Sequence, residues 1–114
     1  MIARLWRGWT APAAADAYEQ FVRTVVLSEL QAHAGYLGGY VLRRDGPDEV
    51  EFQTLFLFVS DDAVHSFAGP EADVARVPSE ARALLSHYDE TVTETLAAQA
   101  PAFRPMHYPH PSFQ

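Results

Sequence analysis

The chain has 114 residues, 48% of them hydrophobic, with 8 basic against 15 acidic side chains and a net charge of −7. That length fits one domain whose core needs no disulfide staple, and the acidic balance argues against nucleic acid or an anionic membrane as partner, because phosphates are met by clustered cations. Cysteine and lysine are both absent, which removes disulfides, thiolate metal sites, cysteine nucleophiles, Schiff-base chemistry and a P-loop lysine.

Ile2 to Trp9 alternates in the manner of a strand, with Ile2, Arg4, Trp6 and Gly8 on one face and Ala3, Leu5, Arg7 and Trp9 on the other. Thr10 and Pro12 suit the start of a helix, Thr10 as its cap. Helical spacing runs from Ala13 to Ala34, with Ala14, Ala17, Tyr18, Phe21, Val25 and Leu30 on the inner face and Gly35 as the stop. Glu19 and Arg23 stand four apart with the acid first, the better order for an ion pair. Tyr36 to Arg44 is a second strand in which Gly38-Gly39 implies a bulge or close backbone approach. A turn at Asp45-Gly46-Pro47-Asp48 leads to a third strand, Glu49 to Ser60, completing an antiparallel hairpin. Ser60-Asp61-Asp62 opens a short helix to Ala68, ended by Gly69-Pro70. Pro78-Ser79-Glu80 starts another to His87, and Asp89 to Leu96 is expected as the last strand. From 97 to 114 the chain becomes rich in proline and aromatic residues and is expected as a tail separate from the domain of residues 1–96.

The resulting order is β-α-β-β-α-β, an α+β, ferredoxin-like arrangement with an antiparallel sheet. Both faces of the third strand are apolar: Val50, Phe52, Phe56 and Phe58 on one, Leu55, Leu57 and Val59 on the other. One layer of helices covers one face, so a second subunit is expected on the other, giving a homodimer. The longest apolar run, Leu55 to Val59, is far short of the roughly 20 residues of a membrane span, and no apolar leader follows Met1. Cytoplasmic residence is the corresponding expectation.

Four segments carry a family resemblance: the opening Ile2-Ala3-Arg4-Leu5-Trp6-Arg7-Gly8; Gly35-Tyr36-Leu37-Gly38; the corner Leu57-Phe58-Val59-Ser60-Asp61-Asp62-Ala63; and Ala81-Arg82-Ala83-Leu84-Leu85-Ser86-His87-Tyr88-Asp89. Over residues 1–96 the chain resembles the antibiotic biosynthesis monooxygenase type of the dimeric α/β-barrel superfamily. The resemblance implies two sheets meeting face to face in a dimer, each subunit keeping a pocket between sheet and helices. Characterised relatives include cofactor-free oxygenases of polyketide phenols, haem-degrading monooxygenases, isomerases and cyclases, so the fold alone does not select a reaction. The haem-degrading branch uses a ligating His after strand three, an Asn on strand one and a Trp in the second helix. Arg76, Leu5 and Phe67 fall near those places here, arginine cannot ligate iron, and the chain has no Asn at all. The cofactor-free oxygenases also rely on an Asn, together with Trp, Tyr and Arg.

Arg4 and Trp6 suit a ligand cavity, the guanidinium holding an anionic or phenolate oxygen and the indole covering a flat ring. Which strand face lines the pocket stays open at this point, so Arg7 and Trp9 remain alternatives. His87, followed by Tyr88 and Asp89, is the candidate general base. Tyr40, Phe58 and Phe67 are candidate walls, or simply core. Arg76 either binds the ligand or pairs with Glu71, Asp73 or Glu80. His33 and His65 receive no role, and His107 and His110 lack the carboxylates that would complete a metal site. The expected activity is a cofactor-independent monooxygenase-like reaction on a small aromatic or polyketide-type molecule, without metal or cofactor. Alternatives are a cyclase or isomerase of the same fold and a non-catalytic small-molecule-binding dimer.

Overall fold

Strand β1, Ile2–Thr10, is the spine of the sheet, and the elements that follow are arranged around it. The computed structural model describes residues 1–96; the expected tail at 97–114, with His107 and His110, lies outside the described residues. After β1 comes one helical segment in four parts: a 3₁₀ turn at Pro12–Ala14, α1 at Ala15–Phe21, a π turn at Val22–Val26 and α2 at Leu27–Gln31. Strands β2, Tyr36–Asp45, and β3, Val50–Phe58, form the hairpin. Helices α3, Asp61–Ala68, and α4, Ser79–Leu84, precede β4, Leu85–Tyr88, and β5, Thr93–Leu96.

The sheet runs β2-β3-β1, and the far edge of β1 is shared by β4 and β5, every pairing being antiparallel. This is the ferredoxin-like order, with its last strand in two pieces. The even-numbered residues of β1 and β3 pair as Ile2↔Phe58, Arg4↔Phe56, Trp6↔Thr54 and Gly8↔Phe52 and face the helices. Ile2, Phe56 and Phe58 pack with Leu30, Val64 and Ala68, while Val50 and Phe52 pack with Ala15, Tyr18, Val22 and Ala81. The odd-numbered residues line the opposite face, which no helix of the described residues covers. Among the described residues no helix is long and apolar enough to cross a membrane.

The local signals of the hairpin and α3 correspond to what forms. Ser60 Oγ accepts from Ala63 N at 3.2 Å, capping α3, and Gly69 ends it at φ 87°. A Cβ on Gly39 would stand 2.3 Å from the Leu55 carbonyl oxygen, so the strands close there only without a side chain, and β2 carries its bulge between Tyr36 and Gly38. The Glu19–Arg23 pair forms at 3.5 Å.

Three expectations are corrected. Thr10 does not cap the helix: it is the last residue of β1, fully buried beside the bulge, its hydroxyl without a partner, and Ala11 takes the cap position. The inner helix face is Ala15, Tyr18, Val22 and Leu30, with Ala17 and Val25 turned outward. The π turn adds a residue to one turn and shifts the face. It coincides with the β-branched run Val22, Thr24, Val25, Val26, whose members hold a regular helix poorly, and Thr24 Oγ1 donates back to the Gln20 carbonyl at 2.8 Å. Finally, the helix expected to reach His87 stops at Leu84, so His87 lies on β4, and the expected single strand 89–96 is broken at residues 89–92.

Candidate functional site

Those last two irregularities build a cavity. Between the sheet and the helical layer lies a partly open pocket of about 90 Å³. Its sheet wall is Arg4, Trp6, Thr54 and Phe56, and its helical wall is Tyr18, Phe21, Val22 and Val26, the last two placed there by the π turn. Phe67 from α3 and the segment Ala75–Pro78 close the sides, with Val92 turned in by the break between β4 and β5. That break is held by backbone bonds from Ala75 N to the Glu90 carbonyl, 2.9 Å, and from Val92 N to the Asp73 carbonyl, 2.8 Å.

Arg4 is 5% exposed, although its backbone sits in a strand centre. One guanidinium nitrogen, Nη1, donates to the Ala72 carbonyl and, at 2.8 Å, to Glu94 Oε2 on β5. Burial holds the Arg4 pKa below the usual arginine value; the bonded Glu94 carboxylate opposes that shift and the nearby Arg76 charge adds to it. Trp6 Nε1 donates to the Asp89 carbonyl at 2.6 Å, which fixes the indole plane. Gly8 makes room for that ring, since a Cβ there would come 2.7 Å from its Cη2 atom. Burial pushes the Tyr18 phenol pKa up, so Tyr18 stays protonated: it can donate a hydrogen bond and does not serve as a base. Arg76 Nη1 donates to the Phe67 carbonyl at 2.6 Å, and its guanidinium sits 5.5 Å from the centre of the Phe67 ring. It makes no ion pair with Glu71, Asp73 or Glu80, the pairing considered from sequence.

Of the sequence candidates, the cavity brings together Arg4, Trp6, Phe67 and Arg76. Phe58 is fully buried in the adjacent core and does not reach the space. Tyr40, 54% exposed, pairs with Leu55 on the opposite face of the sheet. His87 is on that opposite face as well, stacked on Trp9 at 4.4 Å and 8° between planes, with Nε2 at 2.7 Å from Glu49 Oε2. Arg7 and Trp9 share it. Lining residues that sequence reasoning did not single out are Tyr18, Val22, Thr54, Val77 and Val92. The signal for Val22 is the β-branched run; Val77 and Val92 depend on loop docking, for which local sequence carries none.

No protein-family model matches the chain, and no curated protein does. Solved structures do. A Bacillus cereus protein named as a candidate antibiotic biosynthesis monooxygenase matches 92% of this chain and 98% of its own at a TM-score of 0.57 and 10% identity. A monooxygenase of Streptomyces coelicolor, solved with nanaomycin D, matches 92% of each chain at 0.58 and 12%. The haem degrader MhuD of Mycobacterium tuberculosis, solved with two haems in its active site, matches 90% of this chain and all of its own at 0.55 and 16%. The chain has the antibiotic biosynthesis monooxygenase fold. Another structure matched, from Nitrosomonas europaea, is of a protein of unknown function, and the fold carries no reaction by itself.

Proposed function

We propose that the protein is a cofactor-independent, monooxygenase-like enzyme that oxidises a small aromatic substrate bound as its phenolate between sheet and helices. The observation that carries this reading is Arg4, a buried charged group lining a mainly apolar pocket together with a fixed indole. A guanidinium there stabilises an aromatic oxyanion far more than it would in water. The phenolate gives one electron to dioxygen, and the two radicals recombine. One oxygen atom enters the ring; the other leaves as water with the ring hydrogen and the phenolic proton, so a phenol and dioxygen yield a quinone and water. Trp6, Phe21 and Phe67 serve as walls that keep bulk water from the radical pair.

Among the described residues no carboxylate or imidazole lines the cavity. The substrate therefore enters ionised, or loses its proton to water as Arg4 binds the oxygen, and His87 on the far face has no part in this step. A described lining without a base favours, as a second reading, a binding role without turnover. Haem does not fit the described lining: among the described residues it offers no His, Cys or Met, Tyr18 is held protonated, and about 90 Å³ is well below the roughly 300–1,000 Å³ of sites for larger ligands. The uncovered sheet face, with Leu5, Leu55 and Leu57 flanked by the exposed Tyr40 and Leu42, supports a homodimer, which sedimentation at micromolar concentration tests.

The deciding experiment measures dioxygen uptake over a panel of single-ring phenols and hydroxynaphthalenes. Expected is uptake matching quinone formed, lost by about 100-fold in Arg4→Met, with folding checked by circular dichroism. Saturable binding without any uptake overturns the oxygenase reading in favour of the binding one.

A further inference from the structure

The cavity holds a second cation that the proposed oxidation does not need. Arg76 lines it from the side segment Ala75–Pro78 and is itself exposed, whereas Arg4 is buried, so Arg76 stands at the mouth and Arg4 at the floor. Its polar contact is a backbone carbonyl, Phe67 O, and its ring contact is Phe67; neither neutralises it. The docking of residues 73–75 against 90–92 holds the segment that carries it. Arg4 by contrast is already matched by Glu94. Among the described residues the lining set thus contains two guanidiniums and no carboxylate, and Arg4 feels the charge of Arg76. The same lining includes the flat rings of Trp6, Phe21, Phe56 and Phe67.

We propose, resting on the phenolate reading above, that the ligand is a single-ring hydroxyaromatic acid. Its phenolic oxygen lies at Arg4 on the floor, its ring lies between the aromatic walls, and its carboxylate lies on Arg76 at the mouth. Glu94 already matches Arg4, whereas Arg76 has no carboxylate partner among the described residues, and a carboxylate on the ligand supplies one. Arg is the side chain suited to a carboxylate, through its planar pair of donors. The size of the cavity accepts one ring, and fused polycyclic acids are excluded.

Binding is read by calorimetry under argon, so that turnover does not enter. The probes are 4-hydroxybenzoate, its neutral counterpart 4-hydroxybenzamide, and 9-anthracenecarboxylate. Expected is an affinity for the benzoate about tenfold or more above the benzamide, the scale of one charge-assisted hydrogen bond, and none measurable for the anthracene acid. In Arg76→Gln, an exposed position where folding is not at stake, that preference falls to about unity. Equal affinity for acid and amide in the native protein, or a preference that survives Arg76→Gln, overturns the proposal. Tight binding of the anthracene acid overturns the one-ring limit. The two readings fail separately: acid preference without dioxygen uptake sinks the oxygenase alone, and uptake with neutral phenols at full rate sinks the acid alone.

Discussion

Strand β1 writes the same pattern twice, Arg4-Leu5-Trp6 and then Arg7-Gly8-Trp9, and folding sends the two copies to opposite faces of one sheet. Arg4 is shut under the helices, bonded to a carbonyl and to Glu94; the Arg7 side chain is 52% exposed and meets Asp89 at 3.3 Å and Glu51 at 3.9 Å. Trp6 is pinned through its indole N–H in a cavity wall, whereas Trp9 carries Arg7 over its ring at 5.3 Å and His87 stacked on it. Residue type is therefore no guide to role here. What separates the copies is the odd or even parity of the position and the single layer of helices that covers the even one.

The sharpest way to test that separation is to cut an aromatic ring from each face. Phe52, fully buried with its ring 4.8 Å from that of Tyr18, should cost about 3–5 kcal/mol when changed to alanine, through lost transfer energy and an unfilled void. Tyr40→Ala on the open face should cost under about 1 kcal/mol in a dilute monomer. If the second face is a subunit interface, the Tyr40 cost grows with protein concentration while that of Phe52 does not. Denaturant midpoints at two concentrations measure both, and similar costs for the two at low concentration would break the distinction between faces.

The charged pairs give the next largest contrast. Glu94→Ala leaves Arg4 buried with only the Ala72 carbonyl as partner and should cost about 3 kcal/mol, at the low end for a buried pair because Glu94 is itself 24% exposed. Asp89→Asn, across the sheet from it in an exposed pair with Arg7, should change stability by about 0–1 kcal/mol. Thermal unfolding compares them directly; equal shifts would mean that the Arg4 pair is not sealed from water.

How much of this was legible in the sequence follows the same line. The strand alternation, the Ser60 cap, the paired glycines and the apolar third strand act through neighbours in sequence, and these gave the fold and its antiparallel order. Arg4 and Trp6 stood out as a pair, but parity alone could not say whether they or Arg7 and Trp9 faced the helices. The course of 85–96 was not legible. His87 reads as a helix end after Leu84-Leu85, yet β1 has an open edge at Gly8 to Thr10, and pairing with it outweighs the local helical preference. The π turn and the break at 89–92 are likewise responses to packing, and both supply cavity walls. Sites built by such irregularities are the part of a structure that local pattern reports least well.

A glycine makes a smaller and more local test. Gly8→Ala would bring a Cβ to 2.7 Å from the Trp6 ring and 3.0 Å from the Leu85 side chain. Either the indole moves off its bond to the Asp89 carbonyl or the strand shifts, at about 1–3 kcal/mol. Trp6 is the wall that moves, so affinity for a bound phenol should fall by more than the loss of stability alone accounts for. Unchanged affinity beside lowered stability would remove Trp6 from the site.

The smallest expected effect is also the one in which the two faces oppose each other, because they titrate at opposite ends of the pH scale. On the helix face, burial raises the Tyr18 phenol above its ordinary value. Its neutral form is favoured in the folded state, so its contribution is complete below about pH 10 and is lost as pH rises beyond that, where only the unfolded chain ionises freely. On the open face, the side-chain hydrogen bond from Gln53, followed by Arg44 and Arg7, holds the Glu51 carboxyl below the ordinary glutamate value, against some opposition from burial. Here the ionised form is favoured in the folded state. Its contribution is present above about pH 4.5 and fades as pH falls through the lowered folded value, where the carboxylate must take up a proton. Thermal midpoints followed from pH about 3 to about 11 should therefore flatten on the alkaline side in Tyr18→Phe and on the acid side in Glu51→Gln, each leaving the other side as it was. If Tyr18→Phe leaves the alkaline side unchanged, the phenol is in contact with water, and the cavity it lines is open to solvent.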